Sequence, residues 1–219
     1  MNPKLHLPAL ADMLRNQAGR SRKRARHGQA LATSGEAVNL YRTLAAERPD
    51  IYGPGLAKAL ITYGMQLAIG ANSEGGCAEF EEAIRLIRPF CEADSFHLNT
   101  LGTALNNAAA VHAQCGRLQE ARTALREAVS AYAKLVDDVD DEESRHLLAS
   151  SNANHAVILH KMGCIPGAAR AAIEARVRYS DLAAKSREYL PALDHCHDLI
   201  EMIYGRTPIS GSGIMTDLV

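Results

Sequence analysis

Apolar residues recur along this chain at helical spacing. Ala37, Tyr41 and Leu44 mark one helix face through i, i+4 and i+7 steps. The same face returns as Ala83, Ile87 and Phe90, as Ala128, Tyr132 and Leu135, and as Ala175, Tyr179 and Leu182. These copies follow one another at 46, 45 and 47 residues. A fixed period of this length marks an array of supersecondary units, none of which buries its apolar face alone.

The same register aligns three columns of small residues. Ala18, Gly64, Ala109 and Ala156 form one; Ala30, Gly76, Ala121 and Ala168 form the next; Ala37, Ala83, Ala128 and Ala175 form the third. Small residues at fixed places on two successive helices let their backbones approach closely. Composition agrees: Ala supplies 37 of the 219 positions, aromatics only 5%, and Trp is absent, which favours close-packed helices over sheets. A partial fifth copy closes the array, because Leu7-Pro8-Ala9-Leu10 recurs as Leu190-Pro191-Ala192-Leu193. Both prolines suit the first turn of a helix. The pattern therefore predicts units at about 7–50, 53–94, 98–138 and 144–187, a capping helix at 189–204 and a flexible tail at 205–219.

These residues resemble tetratricopeptide repeats (TPR). The third unit carries the likeness best, as Leu105-Asn106-Asn107-Ala108-Ala109, then Gly116-Arg117-Leu118-Gln119-Glu120-Ala121, then Glu127-Ala128. Two features depart from that family. The period is near 46 residues rather than 34, and Leu14, Leu60, Leu105 and Asn152 replace the usual early aromatic. HEAT and armadillo repeats share this period, but the three small-residue columns favour the tetratricopeptide reading. The expected fold is an all-α, right-handed α-solenoid of antiparallel helix pairs: four helical hairpins plus the capping helix.

The resemblance implies a concave groove lined by the first helix of each unit. In this register the groove candidates are Arg15, Asn16, Lys58, Thr62, Asn106, Asn107 and Asn154. Asparagine amides both donate and accept, so they suit pairing with the main chain of an extended peptide. Chaperone-tail-binding members carry a two-carboxylate clamp at places that here hold Ile61, Met65 and Gly19, so the resemblance does not extend to that activity.

Charge changes the picture locally. Lys and Arg number 24 against 25 Asp and Glu, yet residues 1–50 carry a net +5 and residues 51–144 a net −7. The basic run 20–27, with Arg20, Arg22, Lys23, Arg24 and Arg26, reads either as an exposed helix end or as a polyanion patch without aromatics for base stacking. The acidic run 137–143 reads as a solvated loop or as the opposite pole for charge-driven self-association.

Chemistry finds little foothold. His195, Cys196 and His197 are adjacent, and His155 and His160 are five apart, so neither set has the helical spacing a shared metal needs. No Gly-rich phosphate loop, GxSxG or HExxH occurs. No cofactor, metal or catalysis is expected. Five scattered cysteines without a CxxC pair imply reduced thiols, and with no secretion signal or apolar run of 18 residues the expected compartment is cytoplasmic. The expected function is protein or peptide binding through the groove. The alternatives are a peptide-sensing regulatory module that switches a partner and a polyanion binder using the basic run; nucleic acid and membrane are not the expected partners.

Overall fold

The structure, a computed structural model, describes residues 7–23 and 27–205, with side chains described for 7–17 and 27–205. Nine α-helices follow one another in this span: α1 Leu7–Lys23, α2 His27–Glu47, α3 Pro49–Ile69, α4 Ser73–Ile87, α5 Phe96–Gln114, α6 Leu118–Val139, α7 Glu142–Lys161, α8 Ile165–Ala183 and α9 Leu190–Ile203. Single 3-10 turns at Arg88–Phe90 and Arg187–Tyr189 follow α4 and precede α9. No strand occurs among the described residues. Each helix packs on the next, so α1–α2, α3–α4, α5–α6 and α7–α8 make four consecutive hairpins, and α9 lies against α8. The chain is an all-α solenoid.

Local chemistry sets the helix ends. Proline stands in the first turn of α3, α8 and α9, where its missing N–H would be unpaired anyway. Asn72 caps α4 by accepting from the Gly75 N–H at 3.0 Å, and Asp141 caps α7 by accepting from the Ser144 N–H at 2.7 Å. The turns inside the last three hairpins repeat one motif. A residue in the left-handed region (Ala71, Gly116 or Gly163) reverses the chain. The following N–H then reaches back five residues, from Asn72 to Leu67, Arg117 to His112 and Cys164 to Leu159, at 2.8 to 2.9 Å.

The small-residue columns are the hairpin contacts. Ala30, Ala37, Ala83, Ala121, Ala128, Ala156, Ala168 and Ala175 are fully buried and Ala109 is nearly so. Ala18 lies outside the described side chains. Between α3 and α4 both cells of the facing columns are glycine, and the backbones come close. A Cβ on Gly76 would stand 2.8 Å from the Gly64 carbonyl oxygen, and one on Gly64 would stand 3.0 Å from that of Gly76. Tyr41, Ile87, Tyr132 and Tyr179 from the recurring face lie in the core behind these contacts.

The two faces of the solenoid differ. The odd helices touch across units, α1 on α3, α3 on α5, α5 on α7 and α7 on α9, whereas the even helices do not pair to a comparable degree. Long exposed ion pairs span the even side instead. Arg42 on α2 reaches Glu82 on α4 at 2.7 Å, and Arg88 pairs with Glu127 on α6. Arg42 and Arg88 occupy the same repeat position, as do Glu82 and Glu127. The concave side is therefore the odd-helix side.

Part of the acidic run has a structural role. Asp140 takes a left-handed conformation at the end of α6 and accepts two 2.7 Å bonds from Arg145. Asp141 is the α7 cap, and Glu142 and Glu143 occupy the first turn, where the helix dipole favours carboxylates. The basic run 20–27, its proposed complement, lies outside the described side chains apart from His27, so Arg20, Arg22, Lys23, Arg24 and Arg26 are not placed. The tail beyond Gly205 is likewise outside the described residues.

Candidate partner-binding groove

Two hollows lie along the odd-helix side. The first is bounded by α1, α3 and α5 and brings together Arg15, Lys58 and Thr62, with Ile61, Met65 and Phe96. The Lys58 ammonium sits over the exposed Phe96 ring, 5.2 Å from its centre. Arg15 pairs with Asp12 at 3.1 Å, and Thr62 turns its hydroxyl to the Lys58 carbonyl. Burial, then the neighbouring Arg15 charge, push the Lys58 ammonium below its ordinary value, while Asp12 partly offsets them. Two cations beside an exposed phenyl ring and a methionine make a surface suited to a partner carrying acidic and apolar side chains together.

The second hollow lies between α5 and α7. Asn106 and Asn154 line it with Ala109, Ala110, Val157 and Lys161. Asn106 is nearly buried and donates to the Ser151 hydroxyl at 2.9 Å, leaving its carbonyl oxygen without a protein partner. Asn154 stands half-buried on the facing helix.

The remaining two groove candidates lie apart from these hollows. Asn16 is exposed on α1 and lines neither of them. Asn107 is only 1% exposed, so its amide faces the interior rather than the groove. The reason is geometric: adjacent helical residues diverge by about 100°, so Asn106 and Asn107 do not share a face.

A column that sequence reasoning missed joins odd helices to the even helices that follow them. The hydroxyl of Tyr41 donates to Asp12 at 2.7 Å, Tyr132 pairs with Thr103 at 3.0 Å, and Tyr179 pairs with Ser150. In each pair the tyrosine follows its partner by 29 residues. In the second unit Ile87 takes the tyrosine position, so the equivalent polar residue, Lys58, receives no hydroxyl from behind and reaches over Phe96 instead. Burial and the Asp12 carboxylate push Tyr41 up to about 12, and hydrogen bonds from Tyr41 and Arg15 hold Asp12 low against the opposing effect of burial. The constant offset of 29 was visible in the chain; its meaning was not, because a tyrosine on a buried face reads as core.

Reactive groups are muted. All five cysteines are free thiols. Burial pushes the Cys196 thiol up to about 12, and burial with neighbouring Glu81 pushes Cys77 up to about 11, so neither is a nucleophile near neutrality. Among the described residues His195, Cys196 and His197 gather no further ligand, and the one mixed cluster with metal-binding spacing is Cys77, Glu81 and His112. Sequence reasoning missed it because its members come from two helices 35 residues apart. No described helix is long and apolar enough to cross a membrane.

Comparison with known proteins places the fold. No protein-family model matches the chain, and no curated protein does. Among solved structures it is similar to BtubC (BKLC) from P. vanneervenii, with a TM-score of 0.61 and 14% identity over 98% of this chain and 90% of that one. It is also similar to a kinesin-light-chain-type protein of P. anserina with nearly identical TPR-like repeats, with a TM-score of 0.52 and 14% identity over 91% and 98% of the two chains. MamA (RS-1, ArsTM double mutant) aligns with a TM-score of 0.51 and 16% identity over 89% of each chain. At such identities the likeness concerns the fold: a TPR-like helical-repeat solenoid.

Proposed function

We propose that this chain is a non-catalytic binding scaffold whose odd-helix groove receives a segment of another protein. The observation that carries the reading is the hollow between α1, α3 and α5. There Arg15 and Lys58 put two cations beside the exposed Phe96 ring. An extended segment with an acidic side chain next to an apolar one meets both features. Asn154, half-buried further along the same side, offers its amide to the main chain of that segment. The TPR-like fold of the similar structures supports an interaction role in general terms. A partner held mainly by charge in an open groove binds less tightly as salt rises.

The test is affinity capture with the purified chain, comparing wild type with Lys58→Glu, Phe96→Ala and Asn154→Ala. A partner retained by wild type and lost by Lys58→Glu and Phe96→Ala, while all variants keep wild-type circular dichroism, is the expected result. A partner held equally by all of them defeats the groove reading.

A further inference from the structure

Away from the groove, Cys77 and Glu81 stand one turn apart on α4, and His112 faces them from the last turn of α5. The Cys77 sulfur lies 3.6 Å from Glu81 Oε1 and 3.7 Å from each His112 ring nitrogen, and the three ligand atoms all fall within 4.8 Å of one another. A tetrahedral Zn²⁺ with bonds of about 2.3 Å to sulfur, 2.1 Å to nitrogen and 2.0 Å to oxygen spaces S and N ligands about 3.6 Å apart, and S and O ligands about 3.5 Å. Two edges of the ligand triangle thus already have the dimensions of a zinc site. Cys77 and His112 are buried, whereas Glu81 is exposed and opens the cluster to solvent.

The repeat does not ask for these residues. The position of His112 holds Leu67 and Leu159 in the adjacent units, and that of Cys77 holds Leu31 and Ala169 in the first and last. Apolar side chains therefore satisfy the packing in those units, with Arg122 at the Cys77 position of the third, and among the described residues a thiol, a carboxylate and an imidazole converge at this one junction. Around them stand Arg117, whose charge acts on both Cys77 and His112, Glu120 near His112, and the exposed Cys115.

We propose that Cys77, Glu81 and His112 form a Zn²⁺ site bridging α4 and α5. The sulfur binds as thiolate, its proton leaving to solvent; the carboxylate and one imidazole nitrogen complete the protein ligands, and water fills the fourth position. The two anionic ligands balance the charge of the ion. Three protein ligands with one open place is the arrangement of a zinc that can accept a further donor.

The purified full chain is titrated with Co²⁺ alone, and the bound cobalt is then competed with Zn²⁺. The expected result is stoichiometric uptake with a thiolate-to-cobalt charge-transfer band and tetrahedral ligand-field bands, both abolished by zinc. Cys77→Ala and His112→Leu, which install residues the repeat uses elsewhere, should weaken metal binding by more than ~100-fold, beyond the loss of an outer-shell partner. Metal-free melting of the two variants checks that they fold. Cys115→Ser should keep the band, and Glu81→Gln, at an exposed position, should weaken binding without touching the fold. Zinc should also raise the melting temperature of wild type and not of the variants. No thiolate band in wild type, a band that survives His112→Leu and Glu81→Gln, or one that disappears with Cys115→Ser overturns the proposal.

Discussion

At the scale of single residues, Ala71 is the clearest misfit. Its φ of 65° places it in the left-handed region, where the equivalent turn residues are Gly116 and Gly163. An L-residue there has its Cβ close to the following carbonyl, a cost of about 1–2 kcal/mol that glycine does not incur. Part of that gain is lost because glycine has more freedom in the unfolded chain. Ala71→Gly should therefore stabilise the protein by about 0.5–1 kcal/mol. Urea unfolding measures it; an unchanged or lower midpoint removes the strain argument. The same scale explains what the sequence concealed. Asn106 and Asn107 look equivalent in the chain, but only Asn106 reaches the groove side, and it spends one hydrogen bond on Ser151. Polar type alone does not reveal which side of a helix is wet. Cys77 and Glu81 announce an i, i+4 pair, yet the ligand that gives them meaning, His112, arrives through tertiary packing.

At the scale of elements, the hairpin is the unit that the period predicted, and its contact is tight enough to test in both directions. Gly76→Ala gains helix propensity of about 1 kcal/mol. Against that, the new Cβ meets the Gly64 backbone oxygen at 2.8 Å, and a backbone atom does not swing aside. Overpacking of this kind costs about 1–3 kcal/mol, so the net effect should be destabilising by about 1 kcal/mol or more. A rise in the melting temperature would show that α3 and α4 can separate at no expense. Ala128→Leu inserts a larger side chain at a fully buried hairpin contact and should cost on the order of 1–3 kcal/mol. If thermal unfolding is indifferent to it, the register of the third hairpin is misassigned. These contacts were legible because they repeat; twelve small residues in three columns carry more information than any one of them. The tyrosine-to-polar pairs repeat as well, but their chemistry was hidden by Ile87, which breaks the column in the second unit.

For the whole molecule, acid is the sensitive direction. Burial holds His146, His155 and His195 below the ordinary 6.5 of histidine, and each has a buried ring nitrogen without a protein partner. His146 also sits against the rings of Tyr179 and Tyr189. The unfolded chain binds protons at these sites that the folded chain refuses. Their contribution is complete above 6.5 and is lost as pH falls through the lowered folded values. Melting at about pH 7.5 and about pH 5.5 should show a lower midpoint in acid, and His146→Gln should flatten the difference. A midpoint that holds or rises on acidification contradicts this assignment.

The unequal sides of the solenoid also resist bending in different ways. The odd helices abut, so closing the groove further compresses packed side chains, which resist like a stop. On the outer side, Arg42–Glu82 and Arg88–Glu127 act as tethers made of exposed charges. Exposed ion pairs are worth about 0–1 kcal/mol and weaken with salt. Closing the groove further would also stretch these pairs, so both sides oppose extra curling, and only the outer share of that resistance softens as ionic strength rises.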